Sequence, residues 1–299
     1  MQQDNLVDTF PAFLVFWKKN EDAPLSVQID GWATEYMAQW PELLEKQLTD
    51  YSGQQEDWKK LAGEKIFPYI STRLPAMEVA RKNILLLYPY LCSQAYQKIG
   101  LELDATCVLY VGIGCGAGWV TTYQEKSAIL FGLENIAECG WSDSNSIVGL
   151  ISHELGHVIQ NTLRTQASLA EGDGEWWQLF SEGFAQRCEH LILGQNTWHQ
   201  AVNGTNDWVS WCSNNQAYLA SEFLQSVVQG KDIRPFFGSW HNIDGYSQCG
   251  YFLGHEVIKE LELSGMGIRE IAILEKPESH LRPILEGLAG LRRSRKTIL

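Results

Sequence analysis

Between residues 147 and 158, apolar residues recur at spacings of three and four positions. Ile147, Ile151, Leu155 and Val158 would therefore lie along one side of a helix as a buried stripe. Immediately before them, residues 142–145 read Ser-Asp-Ser-Asn, and each of these side chains can cap a helix N-terminus. The pattern predicts an amphipathic helix that begins close to these polar residues.

Helical patterns dominate residues 1–100. Residues 33–48 predict a helix that is broken at Pro41, because proline fits the first turn of a helix and can open a second one. Residues 71–99 predict longer helical stretches, with Leu85-Leu86-Leu87 and Leu91 in the buried part. We interpret this region as a helical scaffold, since it contains no group of residues with catalytic spacing.

The pattern changes near residue 101. Residues 106–111, 119–123 and 127–133 are strand-like, and the first segment is followed by Gly112, Gly114, Gly116 and Gly118. A strand, a glycine turn and two further strands predict a small antiparallel sheet. The glycines also resemble the nucleotide-pocket loop of Rossmann-like methyltransferases. Such a loop needs a following helix, however, and the residues that follow favour a strand.

The predicted helix carries the sequence His153-Glu154-Leu155-Gly156-His157. Residues four apart lie on one helix face, so His153 and His157 can direct two imidazoles at one metal ion. Glu154 is placed to reach a water bound to that ion. Two histidines do not complete a zinc site, because catalytic zinc usually has three protein ligands and a water.

A third ligand must come from elsewhere in the chain. The extended motif with a third histidine would need glycine and histidine where this chain has Gln160 and Leu163. Glu182 lies 25 positions after His157 in an apolar helical stretch, where a cation would remove the cost of burying its charge. Gly183 beside it would let the two helices approach closely. The fallback ligands are Glu171, Glu175 and Glu189.

These two segments together resemble the gluzincin clan of zinc metallopeptidases. The resemblance rests on residues 153–157, His-Glu-Leu-Gly-His, and residues 181–185, Ser-Glu-Gly-Phe-Ala, and it covers roughly residues 105–262. The layout is similar to that of the bacterial YjaZ-like predicted zinc-dependent proteases. The resemblance implies that His153, His157 and Glu182 bind Zn²⁺ and that Glu154 is the general base.

The same resemblance suggests residues that contact the substrate. A gluzincin's transition-state tyrosine corresponds to Tyr251 in the segment 250–254, Gly-Tyr-Phe-Leu-Gly, with Tyr246 as a rival. His255 lies four residues on, would share a helix face with Tyr251, and is a candidate for substrate binding. Residues 132–135, Gly-Leu-Glu-Asn, are similar to a strand of the gluzincin aminopeptidases, which implies that Glu134 binds a substrate's free amino group.

Composition limits the classes of partner. The net charge of −13 argues against a general binder of nucleic acid or anionic membranes. No run approaches 18 consecutive apolar residues, and the N-terminus has no basic region leading into an apolar run. The seven cysteines form no C-x-x-C pair. We expect a cytoplasmic protein with free thiols.

The sequence therefore predicts an α+β protein, mostly helical, with a small antiparallel sheet packed beside the metal-binding helix. Residues 1–100 are expected to form a helical N-terminal scaffold and residues 101–299 the catalytic region. The expected function is hydrolysis of peptide bonds, in peptides or proteins, by a water that zinc activates. One alternative is an aminopeptidase in which Glu134 binds the N-terminus. Another is a non-catalytic binding protein, although binding alone needs no general base such as Glu154.

Overall fold

A computed structural model of the protein describes residues 5–201 and 207–291. The chain is mostly helical and has a four-stranded sheet, so the predicted α+β class is confirmed. It divides into two compact units, Met1–Glu154 and Leu155–Leu299. This boundary falls inside the continuous helix Ser144–Gln166. From the sequence, we assign residues 1–100 to a scaffold and residues 101–299 to a catalytic region. That division is one of function, and it stays a prediction.

In the first unit, helices come both before and after the last three strands along the sequence. Its elements are β1 (Leu6–Asp8), α1 (Phe10–Asn20), α2 (Leu25–Gly31), α3 (Pro41–Gly53), α4 (Trp58–Leu61), α5 (Ile70–Ile99), β2 (Thr106–Tyr110), β3 (Trp119–Tyr123), β4 (Lys126–Gly132), α6 (Leu133–Cys139) and the first part of α7 (Ser144–Gln166). A short π-helical segment followed by a 3-10 turn lies between α2 and α3, at Trp32–Gln39, and another lies between α4 and α5, at Ala62–Tyr69.

The sheet has the strand order β1-β2-β4-β3. Strand β2 runs parallel to both β1 and β4, whereas β3 and β4 are antiparallel. The sheet is therefore mixed, and the predicted antiparallel arrangement is wrong. The tight hairpin lies between β3 and β4, where Gln124 and Glu125 both have positive φ, as a two-residue turn of this hand requires. This hairpin inserts β4 beside β2 and leaves β3 at the edge.

The helices of the first unit follow the predicted pattern in most places. Helix α3 begins at Pro41, as predicted, and α5 is a single continuous helix. Leu91 is buried, but Leu86 is 70% exposed, so its predicted burial is wrong. The helical period explains the difference, because α5 buries Ile84, Tyr88 and Leu91 and turns Leu86 outward.

The glycine-rich residues 111–118 join β2 to β3 and do not lead into a helix. A phosphate-binding loop of the Rossmann type presents its backbone N–H groups at the start of a helix. The arrangement here therefore gives no support to the methyltransferase interpretation.

The second unit is helical in its described residues. It contains the rest of α7, followed by α8 (Gly174–Leu193), α9 (Asp207–Asn214), α10 (Gln216–Val228), α11 (Arg234–Phe237), α12 (Cys249–Leu263), α13 (Ile268–Ala272) and α14 (Pro277–Leu288). Across both described ranges, no helix combines the length and the apolar character needed to cross a membrane.

Helices α8 and α12 meet through two glycines. A Cβ on Gly183 would overlap the backbone of Gly254, and a Cβ on Gly254 would lie 2.6 Å from the carbonyl oxygen of Leu179. Gly183 was predicted to let α8 approach the metal-binding helix α7. That prediction is wrong, because Gly183 faces α12.

Candidate metal centre

Helix α7 begins where the sequence predicts. The Asp143 carboxylate accepts hydrogen bonds from the backbone N–H groups of Asn145 (2.9 Å) and Ser146 (3.2 Å) and from the Ser146 hydroxyl (2.7 Å). Burial by itself would raise the pKa of Asp143, but these bonds outweigh it and hold the pKa below its usual value. The four residues of the predicted apolar stripe, Ile147, Ile151, Leu155 and Val158, are all buried.

Helices α7 and α8 approach closely at Gly156, inside the His-Glu-x-x-His motif. A Cβ at Gly156 would lie 2.7 Å from the Ala185 Cα and 2.9 Å from the Cys188 Cβ. Only glycine fits such an approach without a shift of the neighbouring backbone. The contact places the backbone of α8 against the motif, three residues from Glu182.

His153, His157 and Glu182 form one group with metal-ligand chemistry. The His157 Nε2 atom lies 3.4 Å from the Glu182 Oε2 atom. One ligand atom from each of the three residues lies within 4.8 Å of the others. His153 and His157 share a face of α7, and Glu182 comes from the middle of α8. The structure thus brings together the three predicted ligands.

The donor set fits zinc. Two imidazole nitrogens and a carboxylate oxygen are a common set for a catalytic zinc site, which keeps its fourth position for water. Zinc–nitrogen and zinc–oxygen distances near 2.1 Å in a tetrahedral arrangement separate two ligand atoms by roughly 3.4 Å. The spacing of 3.4 Å between His157 Nε2 and Glu182 Oε2 matches this value.

A second group of possible ligands contains His153, Glu189 and His199, all of which are buried. The Glu189 Oε2 atom lies 2.8 Å from the His199 Nδ1 atom and accepts a hydrogen bond from the Gln186 amide at 3.0 Å. Glu189 was a fallback ligand, but the position of His199 was not predicted. His199 lies in the segment after α8, and its spacing from Glu189 matches no ligand motif.

The other fallback ligands, Glu171 and Glu175, belong to neither group among the described residues.

Glu154, the predicted general base, is 4% exposed. A Cβ on Gly118 would lie 2.6 Å from the Glu154 Oε1 atom and 2.8 Å from its carboxyl carbon. The carboxyl group of Glu154 therefore lies against the backbone that enters strand β3. Gly118 provides the space for it.

Glu134, the predicted contact for a substrate amino group, is fully buried. Its two carboxylate oxygens accept hydrogen bonds from the backbone N–H groups of Gly112 (2.7 Å) and Gly114 (3.1 Å). Burial raises the pKa of Glu134 to about 7, although these bonds oppose the rise. In this arrangement the carboxylate stabilises the glycine loop. The structure gives no support to the substrate-binding role, which stays a prediction.

Tyr251 and His255 both lie on α12, as their spacing predicts, but in different surroundings. The half-buried ring of Tyr251 lies edge-on to His199, with ring centroids 6.4 Å apart. His255 is 3% exposed, and its ring centroid lies 4.3 Å from that of His190. Burial, together with the neighbouring His255, lowers the pKa of His190 to about 4. The rival Tyr246 donates its hydroxyl to Asp207. The predicted roles of Tyr251 and His255 stay predictions.

Comparison with protein-family models, curated proteins and solved structures finds no match. The resemblance to the gluzincins therefore rests on the motif residues alone, and membership of that clan stays a prediction.

Proposed function

We propose that this chain is a zinc-dependent peptidase that hydrolyses peptide bonds. One observation carries the proposal: two imidazoles and a carboxylate converge within 4.8 Å, next to a buried glutamate one residue along the same helix. A zinc ion held there would act as a Lewis acid and would lower the pKa of a water to near neutral. We propose zinc because the three donor groups, two imidazoles and a carboxylate, are those that a catalytic zinc commonly has.

Glu154 is the residue that we assign to proton transfer. It follows His153 directly in α7, so a water near the three ligands would lie within its reach. Glu154 would accept a proton from the attacking water and pass it to the leaving amine. A protein that only binds partners would have no need of this carboxylate, which argues against the non-catalytic alternative.

Strand β3 supports a peptide as the substrate. In the sheet formed by the described strands, β3 is the terminal strand and pairs only with β4. Its residues Trp119–Val120–Thr121 are half-buried, and its outer edge has no strand partner among the described residues. A peptide can add to such an edge through backbone hydrogen bonds. Gly118, which precedes β3, lies against Glu154, so a peptide on this edge would extend towards the base.

The aminopeptidase alternative receives less support. Both oxygens of the Glu134 carboxylate bond to the glycine loop, so binding of a substrate amino group would require the loop to open. Comparison of free and N-acetylated peptides tests this alternative directly. Equal rates of cleavage would exclude Glu134 as an anchor for the N-terminus.

The main test measures bound metal and peptide hydrolysis in the same preparations. We expect one zinc per chain, lost in Glu182→Ala. Glu154→Gln should retain zinc and lose hydrolysis by roughly 10²–10⁴-fold, since it removes only the general base. Glu175→Ala is the matched control, because Glu175 lies on the same helix but outside both ligand groups. Zinc bound at wild-type affinity by Glu182→Ala would refute the ligand assignment.

We also propose that the protein acts in the cytoplasm on peptides or proteins. Seven cysteines without a C-x-x-C pair fit a reducing compartment. The net charge of −13 disfavours nucleic acid and anionic membranes as partners.

A further inference from the structure

Ser181 and Gln160 lie in a hydrogen-bonded chain behind His157. The Ser181 Oγ atom is 3.1 Å from the His157 Nδ1 atom and 2.8 Å from the Gln160 Oε1 atom. Ser181 directly precedes Glu182 on α8, and Gln160 lies one turn after His157 on α7. Gln160 is fully buried, so its side chain is held in place by its surroundings.

The direction of these bonds determines which nitrogen of His157 carries the ring proton. A serine hydroxyl has a single proton to donate. Because Ser181 donates it to the Gln160 carbonyl oxygen, the Ser181 oxygen faces Nδ1 as an acceptor. An Nδ1–H group on neutral His157 satisfies that acceptor and leaves a lone pair on Nε2, the nitrogen 3.4 Å from Glu182.

We propose that Ser181 and Gln160 are positioning residues that hold His157 as its Nδ1–H tautomer and so present the Nε2 lone pair to the metal. The zinc part of this inference rests on the proposed function, whereas the tautomer is a property of the metal-free chain. Hydrogen bonds from the second nitrogen of a histidine ligand commonly set its tautomer and orientation.

Without the Ser181–Gln160 hydrogen bonds, Glu182 would favour the wrong tautomer of His157. Its carboxylate oxygen faces Nε2, and a carboxylate attracts a ring proton to the nitrogen that it faces. A proton on Nε2 would block the lone pair that the metal requires. The bond from Nδ1–H to Ser181 opposes this attraction, and the Gln160 carbonyl keeps the Ser181 proton away from Nδ1.

The first experiment measures the tautomer. Nitrogen-15 NMR of the His157 ring in metal-free protein, at a pH where the ring is neutral, reports which nitrogen is protonated. We expect Nδ1–H in the wild type. Ser181→Ala removes the acceptor, and Gln160→Met frees the Ser181 proton to bond Nδ1, so both should shift the ring towards Nε2–H. A wild-type ring that is mainly Nε2–H, or variants with an unchanged ratio, would overturn the proposal.

The second experiment measures zinc affinity by competition with a chelator. Ser181→Ala and Gln160→Met should bind zinc roughly 10–100-fold more weakly, the usual cost of losing a partner of a histidine ligand. Ser181→Thr keeps the hydroxyl and should restore both affinity and tautomer. Thr162→Val is the matched control, because the Thr162 hydroxyl also lies on α7 and donates its hydrogen bond to the Val158 carbonyl oxygen at 2.7 Å. Wild-type affinity in both test variants would refute the role.

The outcomes separate this inference from the proposed function. A wild-type chain that binds zinc with the Nδ1–H tautomer but cleaves no peptide would contradict the peptidase proposal and support the positioning role. If the protein is a zinc peptidase but neither the His157 tautomer nor the zinc affinity changes in the Ser181 and Gln160 variants, the positioning role alone is refuted.

Discussion

The close contact at Gly156 allows a quantitative prediction that links helix packing to metal binding. In Gly156→Ala, the new Cβ would lie 2.7 Å from the Ala185 Cα, and ordinary contact begins at 3.4 Å. The two helices must therefore separate locally by about 0.7 Å, since the opposing atom is backbone and cannot rotate away.

This separation should cost both stability and affinity. Overpacking by one methyl group typically costs about 1–3 kcal/mol. Alanine is also a better helix former than glycine by about 1 kcal/mol, which partly hides the cost. Gly287→Ala in α14 corrects for this, because its Cβ would meet nothing within 4 Å. We expect Gly156→Ala to be less stable than Gly287→Ala by about 1–3 kcal/mol in the free energy of unfolding.

Zinc affinity should fall with the same change. Metal–ligand distances tolerate shifts of only about 0.2 Å, and Glu182 moves with α8 relative to His157. A loss of at least roughly tenfold, or 1.4 kcal/mol, is expected for zinc binding. Urea unfolding of the metal-free proteins and chelator competition of the loaded ones provide the two measurements. If Gly156→Ala matched Gly287→Ala in stability and kept wild-type zinc affinity, the packing argument would be refuted.

Two further predictions concern buried carboxylates. The pKa of Glu134 rises from its usual 4.5 to about 7 in the fold, so the folded chain keeps a proton that the unfolded chain releases between these values. The free energy of unfolding should therefore fall as pH rises from 4.5 to 7, by up to about 3 kcal/mol, and Glu134→Gln should flatten this slope in urea titrations at several pH values. Gly118→Ala should displace the Glu154 carboxylate and lower kcat while zinc stoichiometry stays at the wild-type value; an unchanged kcat would contradict the contact.

Much of the candidate site was predictable because it depends on residues that are close in the sequence. The spacing of His153 and His157 places both on one helix face wherever that helix packs. The apolar stripe and the Asp143 cap are likewise local features, and the structure has both. Glu182 was predicted because a carboxylate within an apolar helical stretch needs a compensating charge, and it lies 3.4 Å from His157.

Tertiary structure alone decided the features that depend on which segments pack together. The side-chain period identifies a strand but does not give its neighbour, so the insertion of β4 between β2 and β3 was not predictable. The same holds for the helix that each glycine contacts: Gly156 faces α8, and Gly183 faces α12. Glu134 and His199 acquired partners that no spacing indicates. Local periodicity is set by neighbours along the chain, whereas these contacts are set by the packing of segments that are distant in sequence.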